Sequence, residues 1–111
     1  MSVPLLVPFE TEREELADGS LRLYAHGELD LATASAFEEA LRDCARRHPA
    51  RVVVDLADVP FIDASGLRVL IEARRRQHEA DGELLIARPS RQVARLLEVA
   101  GPRTELRIVR D

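Results

Sequence analysis

The sequence predicts an α/β fold, with a leading β-hairpin and then strands and helices in alternation, in the order ββαβαβαβ. Three observations carry this. Two strand-like segments flank Asp18-Gly19, a turn pair. Three later segments place apolar residues at helical spacing, and a short aliphatic run follows each. Those runs, such as Val52-Val53-Val54, do not alternate with polar residues, which marks strands covered on both faces, as in parallel sheets. Tight turns cannot join parallel strands, so the three helices are crossovers, right-handed by strong preference, packed on a mixed sheet.

The first strand is expected around Leu5 to Arg13, with Pro4 and Pro8 placing it at a sheet edge or at strand ends. Glu10, Glu12, Glu14 and Glu15 give it a charged edge that discourages pairing with another chain. Leu21, Leu23 and Ala25 alternate with Arg22, Tyr24 and His26 in the second strand, and Gly27 to Asp30 close it. Residues 34–47 switch to helical spacing, with Phe37, Leu41, Cys44 and Ala45 on one face. Ser35 and Glu38 have capping-box spacing, Thr33 is a competing N-cap, and Pro49 stops the helix. "RVVVDL" (51–56) is a buried strand, and Asp55 near its end is read as a structural hydrogen-bonding group. A second helix begins near Ser65, turns Leu67, Leu70 and Ile71 inward and runs toward Asp81-Gly82. Its Arg74-Arg75-Arg76 cluster complements the negative end of the helix dipole. "ELLIA" (83–87) is the next strand, Ser90 opens a third helix that Gly101 stops, and "LRIV" (106–109) is the last strand.

Composition narrows the function. The 111 residues suit one domain, and no repeat or linker divides them, so residues 1–111 are read as a single domain. The net charge of −4 and the 4% aromatic content argue against a phosphate-backbone or single-strand nucleic-acid binder. One cysteine, Cys44, rules out an internal disulfide and reads as a core residue. No apolar run approaches the roughly 20 residues of a membrane span, and the first ten residues lack the basic start of a signal peptide, so a cytoplasmic protein without membrane contact is expected.

"FIDASGLRVL" (61–70) breaks the apolar pattern with a carboxylate, a hydroxyl and a glycine. It lies between the end of a buried strand and the start of a helix, at the sheet edge where α/β folds collect binding sites. Asp63 or Ser65 is the N-cap, and Gly66 lets the backbone approach another segment closely. A hydroxyl near a helix start is also a place for modification, since a phosphate adds roughly −1.5 to −2 charges. The nucleophile elbow Gly-x-Ser-x-Gly is absent, and His26, His48 and His78 are scattered without ligand spacing. No phosphate-binding Gly-Lys loop is present. Neither an enzyme nor a metal or cofactor site is therefore expected.

The run "VVVDLADVPFIDASGLRVLIEA" (52–73), together with "GELDLATA" (27–34), strongly resembles the STAS domain, in the branch of bacterial anti-sigma factor antagonists. The resemblance covers nearly the whole chain. It implies a protein that binds an anti-sigma factor and so frees a sigma factor. It also implies that this partner is an ATP-dependent serine kinase, and that a phosphatase reverses the modification. The motif's serine here, Ser65, takes the phosphorylation role, with Ala64 where relatives often carry a hydroxyl. The implied partner surface comprises Asp30, Asp63, Ser65, Gly66 and Leu67. The same resemblance admits a second role, a STAS scaffold or transport-associated module that is never phosphorylated. Many relatives carry a further helix after the last strand, whereas this sequence stops at Asp111.

Overall fold

A computed structural model describes residues 9–109. The elements are β1 (Glu10–Glu15), β2 (Leu21–His26), α1 (Ala34–Ala45), β3 (Arg51–Asp58), α2 (Ala64–Glu79), β4 (Glu83–Ala87), α3 (Arg91–Ala100), a 3-10 turn at Pro102–Thr104 and β5 (Arg107–Val109). They form a five-stranded mixed sheet in the order β1-β2-β3-β4-β5. β1 pairs antiparallel with β2, and the other three neighbouring pairs are parallel. Each helix thus carries the chain one strand further across the sheet.

Period-2 alternation sets the two faces. Leu21, Leu23 and Ala25 of β2, Val52, Val54 and Leu56 of β3, and Leu84 and Ile86 of β4 share one core. Phe37, Leu41 and Cys44 of α1, Val69, Leu70 and Ala73 of α2, and Val93 and Leu97 of α3 cover them. The Cys44 thiol is pushed up by that burial. On the opposite face Asp55, 2% exposed, receives the Arg22 guanidinium at 3.2 and 2.8 Å and the Ala57 N–H at 2.9 Å. Asp55 therefore fastens β3 to β2, the structural role expected of it. Losing one partner of such a buried pair costs about 3–5 kcal/mol.

Four expectations change. β1 reaches Glu15 rather than stopping at Arg13, because its backbone stays paired with β2 up to the loop closed by Leu16 and Ser20. The part of the expected strand from Leu5 to Pro8 lies outside the described residues. The Ser35–Glu38 capping box does not form: Thr33 holds the cap position of α1 with no side-chain cap bond, because its hydroxyl serves Glu28 and Asp30 instead. The helix expected over 34–47 ends at Ala45, and Arg47 and His48 follow in a tighter turn. Within α2 the fully buried stripe is Gly66, Val69, Leu70, Ala73 and Gln77, whereas Leu67 and Ile71 are half-buried at its margins. Among the described residues no helix is long and apolar enough to cross a membrane.

Candidate functional site at the start of the second helix

The site is built where β2 and β3 run out. Their pairing slips between Tyr24 and His26, and the two chains then continue side by side as loops. Gly27 donates to the Asp58 carbonyl at 3.1 Å, Leu29 to the Phe61 carbonyl at 3.0 Å, and Asp63 to the Leu29 carbonyl at 3.0 Å. An isolated parallel bridge joins Leu29 to Ile62, and both side chains are buried. "GELD" and "FIDASG", distant in sequence, thus become one hydrogen-bonded platform. His26 adds a contact at its margin, with Nδ1 2.9 Å from Asp58 Oδ2.

Gly66 explains how tightly α2 seats on this platform. A Cβ there would stand 2.8 Å from Ile62 Cγ1, 2.8 Å from Leu29 Cβ and 2.9 Å from the Leu29 carbonyl oxygen. Only a residue without a side chain lets the first turn of α2 lie on the Leu29 loop. Gly66 is buried and shapes the site from beneath, and Leu67 packs against the core.

Asp63 is the N-cap, which decides between the two candidates. Its Oδ1 accepts from Ser65 N at 2.8 Å and Gly66 N at 3.3 Å, and its carbonyl accepts from Leu67 N at 3.0 Å. These bonds occupy the amides that a free helix start would offer to an anion. Ser65 is then the second residue of the helix, half-exposed, and none of the described residues hydrogen-bonds its hydroxyl. Ala64, just before it, is exposed.

Asp30 closes the other loop. Its Oδ1 accepts from Thr33 N at 3.1 Å, and its own N–H donates to Thr33 Oγ1 at 3.0 Å. The carboxylate is half-buried and holds the turn that leads into α1. The bridge places Asp30 next to the residue on which Gly66 rests, so Asp30, Asp63 and Ser65 meet at one end of the sheet, with Gly66 and Leu67 below.

Sequence reasoning missed Leu29, which joins the two motifs, and Thr33, which orients Asp30. It also missed Leu31 and Phe61, whose apolar side chains stand in water beside the site. The available signal was a large apolar residue directly after Asp30 and another directly before Ile62, but spacing alone does not say which way such a residue points.

The STAS domain family model matches residues 12–110. The chain is 31% identical over 75 residues to an anti-sigma-B factor antagonist of Staphylococcus aureus, a match covering 68% of this chain and 69% of that protein. It is 43% identical over 44 residues to the anti-sigma-F factor antagonist RsfB of Mycobacterium tuberculosis. That match covers 40% of this chain and only 36% of RsfB. Among solved structures, an anti-sigma factor antagonist from Mycobacterium paratuberculosis superposes with a TM-score of 0.81 at 24% identity, covering 97% of this chain and 89% of that one.

Proposed function

This chain belongs to the STAS domain family, and on that premise we propose that it is an anti-sigma factor antagonist. It docks an anti-sigma factor through the end of the sheet that carries Asp30, Asp63 and Ser65, and releases that partner when Ser65 is phosphorylated. In this reading it is a regulatory binding module of one domain that acts in the cytoplasm, and the chemistry belongs to its partners. The observation that carries the reading is the Ser65 hydroxyl, held on a capped helix start with no hydrogen bond to the described residues.

The anti-sigma factor serves as the ATP-dependent serine kinase. Ser65 Oγ attacks the γ-phosphorus of ATP, the bond from that phosphorus to the bridging oxygen breaks, ADP leaves, and the hydroxyl proton passes to a base on the kinase. A phosphatase later hydrolyses the Oγ–P bond and restores the hydroxyl. Asp63 determines what the phosphate does in between. The amides of Ser65 and Gly66 already bond to Asp63, so they are not open to the new charge, and the nearest cation along the helix is the exposed Arg68 three residues on. The phosphate stays hydrated beside a carboxylate in the free protein, and docking would have to strip that water away.

A second reading has one observation in its favour. The exposed residue of the first turn is Ala64, which has no hydroxyl, while Ser65 is only half-exposed. This favours a STAS interaction module that is never phosphorylated. One experiment separates the two. The protein is incubated with MgATP and each purified anti-sigma factor of the source organism in turn, and complex formation and intact mass are recorded. Binding with a single-phosphate shift that Ser65→Ala abolishes supports the first reading. Binding with no shift removes the phosphorylation switch from the first reading, and absence of binding to every anti-sigma factor sinks the first reading and leaves the scaffold or transport-associated module.

A further inference from the structure

Four large apolar side chains stand exposed among the described residues, and they fall into two pairs. Leu31, 77% exposed, and Phe61, 47% exposed, lie on the two loops that the Leu29–Ile62 bridge ties together. Val99 and Ile108 lie on α3 and β5, toward the other edge of the sheet. Leu31 and Phe61 are not needed to close the core at the bridge, because Leu29 and Ile62 do that and are buried. Ala32, Pro60 and Ala64 around them are exposed as well. Grouped apolar side chains left in water beside a functional residue mark a contact surface.

The charges beside each pair differ in balance, although Arg68 stands one turn into α2 near the first pair and Glu98 and Glu105 stand beside the second. Glu28, Asp30 and Asp63 share the loops of the first pair, and none of the three has an ion-pair partner among the described residues. Arg91, Arg95, Arg103 and Arg107 share the elements and turn of the second pair. A partner with cationic groups around an apolar pocket complements the acidic loops that carry Leu31 and Phe61.

We infer that Leu31 and Phe61 are the anchors that hold the anti-sigma factor, seated in an apolar pocket rimmed by lysine or arginine. The inference rests on the antagonist reading above and gives that site its source of affinity. A few buried anchors supply most of the binding energy of an interface, aromatic ones more often than leucine, while the contacts around them exclude water. Ser65 then gates the contact without providing it. A phosphate at Ser65 has to shed its water on docking, and against a cationic rim that desolvation must outweigh the added attraction for the contact to be lost.

The test is calorimetric titration of the anti-sigma factor found by the binding screen into wild type, Leu31→Ser, Phe61→Ser and a Val99→Ser/Ile108→Ser control, after thermal unfolding of each. The anchors predict wild-type melting for Leu31→Ser, a loss of at least ~30-fold in affinity for Phe61→Ser, a smaller loss for Leu31→Ser, and no loss for the control. Added salt should weaken wild-type binding. Leu31→Ser carries the test by itself if Phe61→Ser melts early. Wild-type affinity in the Leu31 and folded Phe61 variants overturns the anchors alone, as does an equal loss in the control. A wild-type dimer in sedimentation that Leu31→Ser dissolves assigns the surface to a second copy and also overturns the inference. If wild type binds no anti-sigma factor, the antagonist reading fails and the anchors fall with it.

Discussion

Two helices of this molecule start with a short polar side chain at the same end of the sheet, and they use it differently. At α3, Ser90 is the N-cap, and its hydroxyl accepts from Val93 N at 3.3 Å. At α2, Asp63 does the capping, and Ser65 sits two residues further on with a hydroxyl that none of the described residues uses. A second difference lies beneath the helix. The start of α2 rests on the Leu29 loop through Gly66, whereas among the described residues "RPS" before α3 has no hydrogen-bonded loop beside it. The lesson is a division of labour. When a carboxylate takes over the cap, the serine beside it is free for a partner, and a glycine wedged on a second loop fixes where it stands.

The largest effect should come from placing a charge where the comparison leaves a hydroxyl. Ser65→Asp is expected to keep the fold, since a negative charge near a helix N-terminus is locally favourable by ~0.3–1 kcal/mol. Its affinity for the anti-sigma factor should fall, by about 2–5 kcal/mol or roughly 30- to several-thousand-fold where the new carboxylate is buried without a cation, and by less where the cationic rim reaches it. Calorimetry with thermal unfolding checks both halves. Unchanged affinity removes the switch, and a large drop in melting temperature replaces it with local unfolding.

Next in size is the seat of α2. Gly66→Ala forces a methyl group against Leu29 and Ile62, and overpacking of this kind costs about 1–3 kcal/mol. Chemical denaturation measures it, and a variant as stable as wild type would mean that the platform is looser than the distances imply.

The two caps sharpen the contrast further. Asp63→Ala frees two amides and should cost ~1–2 kcal/mol, while Ser90→Ala frees one long bond and should cost ~0.5–1 kcal/mol. Asp30→Ala should fall in the same ~0.5–1 kcal/mol range, because its carboxylate holds the Thr33 amide, and it should also weaken binding. Equal losses for Asp63→Ala and Ser90→Ala in denaturant titrations would erase the difference between the helix starts.

The smallest stability effect belongs to Ser65→Ala, expected within ~0.5 kcal/mol of wild type because no described residue bonds to its hydroxyl. The same variant should lose the phosphate entirely in the kinase assay. A destabilisation as large as that of Ser90→Ala would show that Ser65 is a second cap.

The sequence by itself determined the element types and their order. Alternation in "LRLYAH", the unbroken apolar run in "RVVV" and the helical spacing of Phe37, Leu41 and Cys44 are local patterns, and the side-chain direction they encode repeats every two or 3.6 residues. It also marked Asp63-Ala64-Ser65-Gly66 as a helix start that interrupts a core segment. Which of Asp63 and Ser65 would cap stayed open, because both are good N-caps and the choice depends on where α2 must begin to seat Gly66 on Leu29. The tertiary structure decided that, and it decided the Thr33 cap in the same way: the Thr33 hydroxyl was drawn away from its helix by Glu28 and Asp30. It alone brought the loop of Asp30 beside the loop that leads to Ser65, through a register between β2 and β3 that continues past their ends to the Leu29–Ile62 bridge. It alone left Leu31 and Phe61 in water. The physical reason is that a residue's own periodicity fixes which way it points along its strand or helix, while a loop residue points wherever the segment packed beside it leaves room.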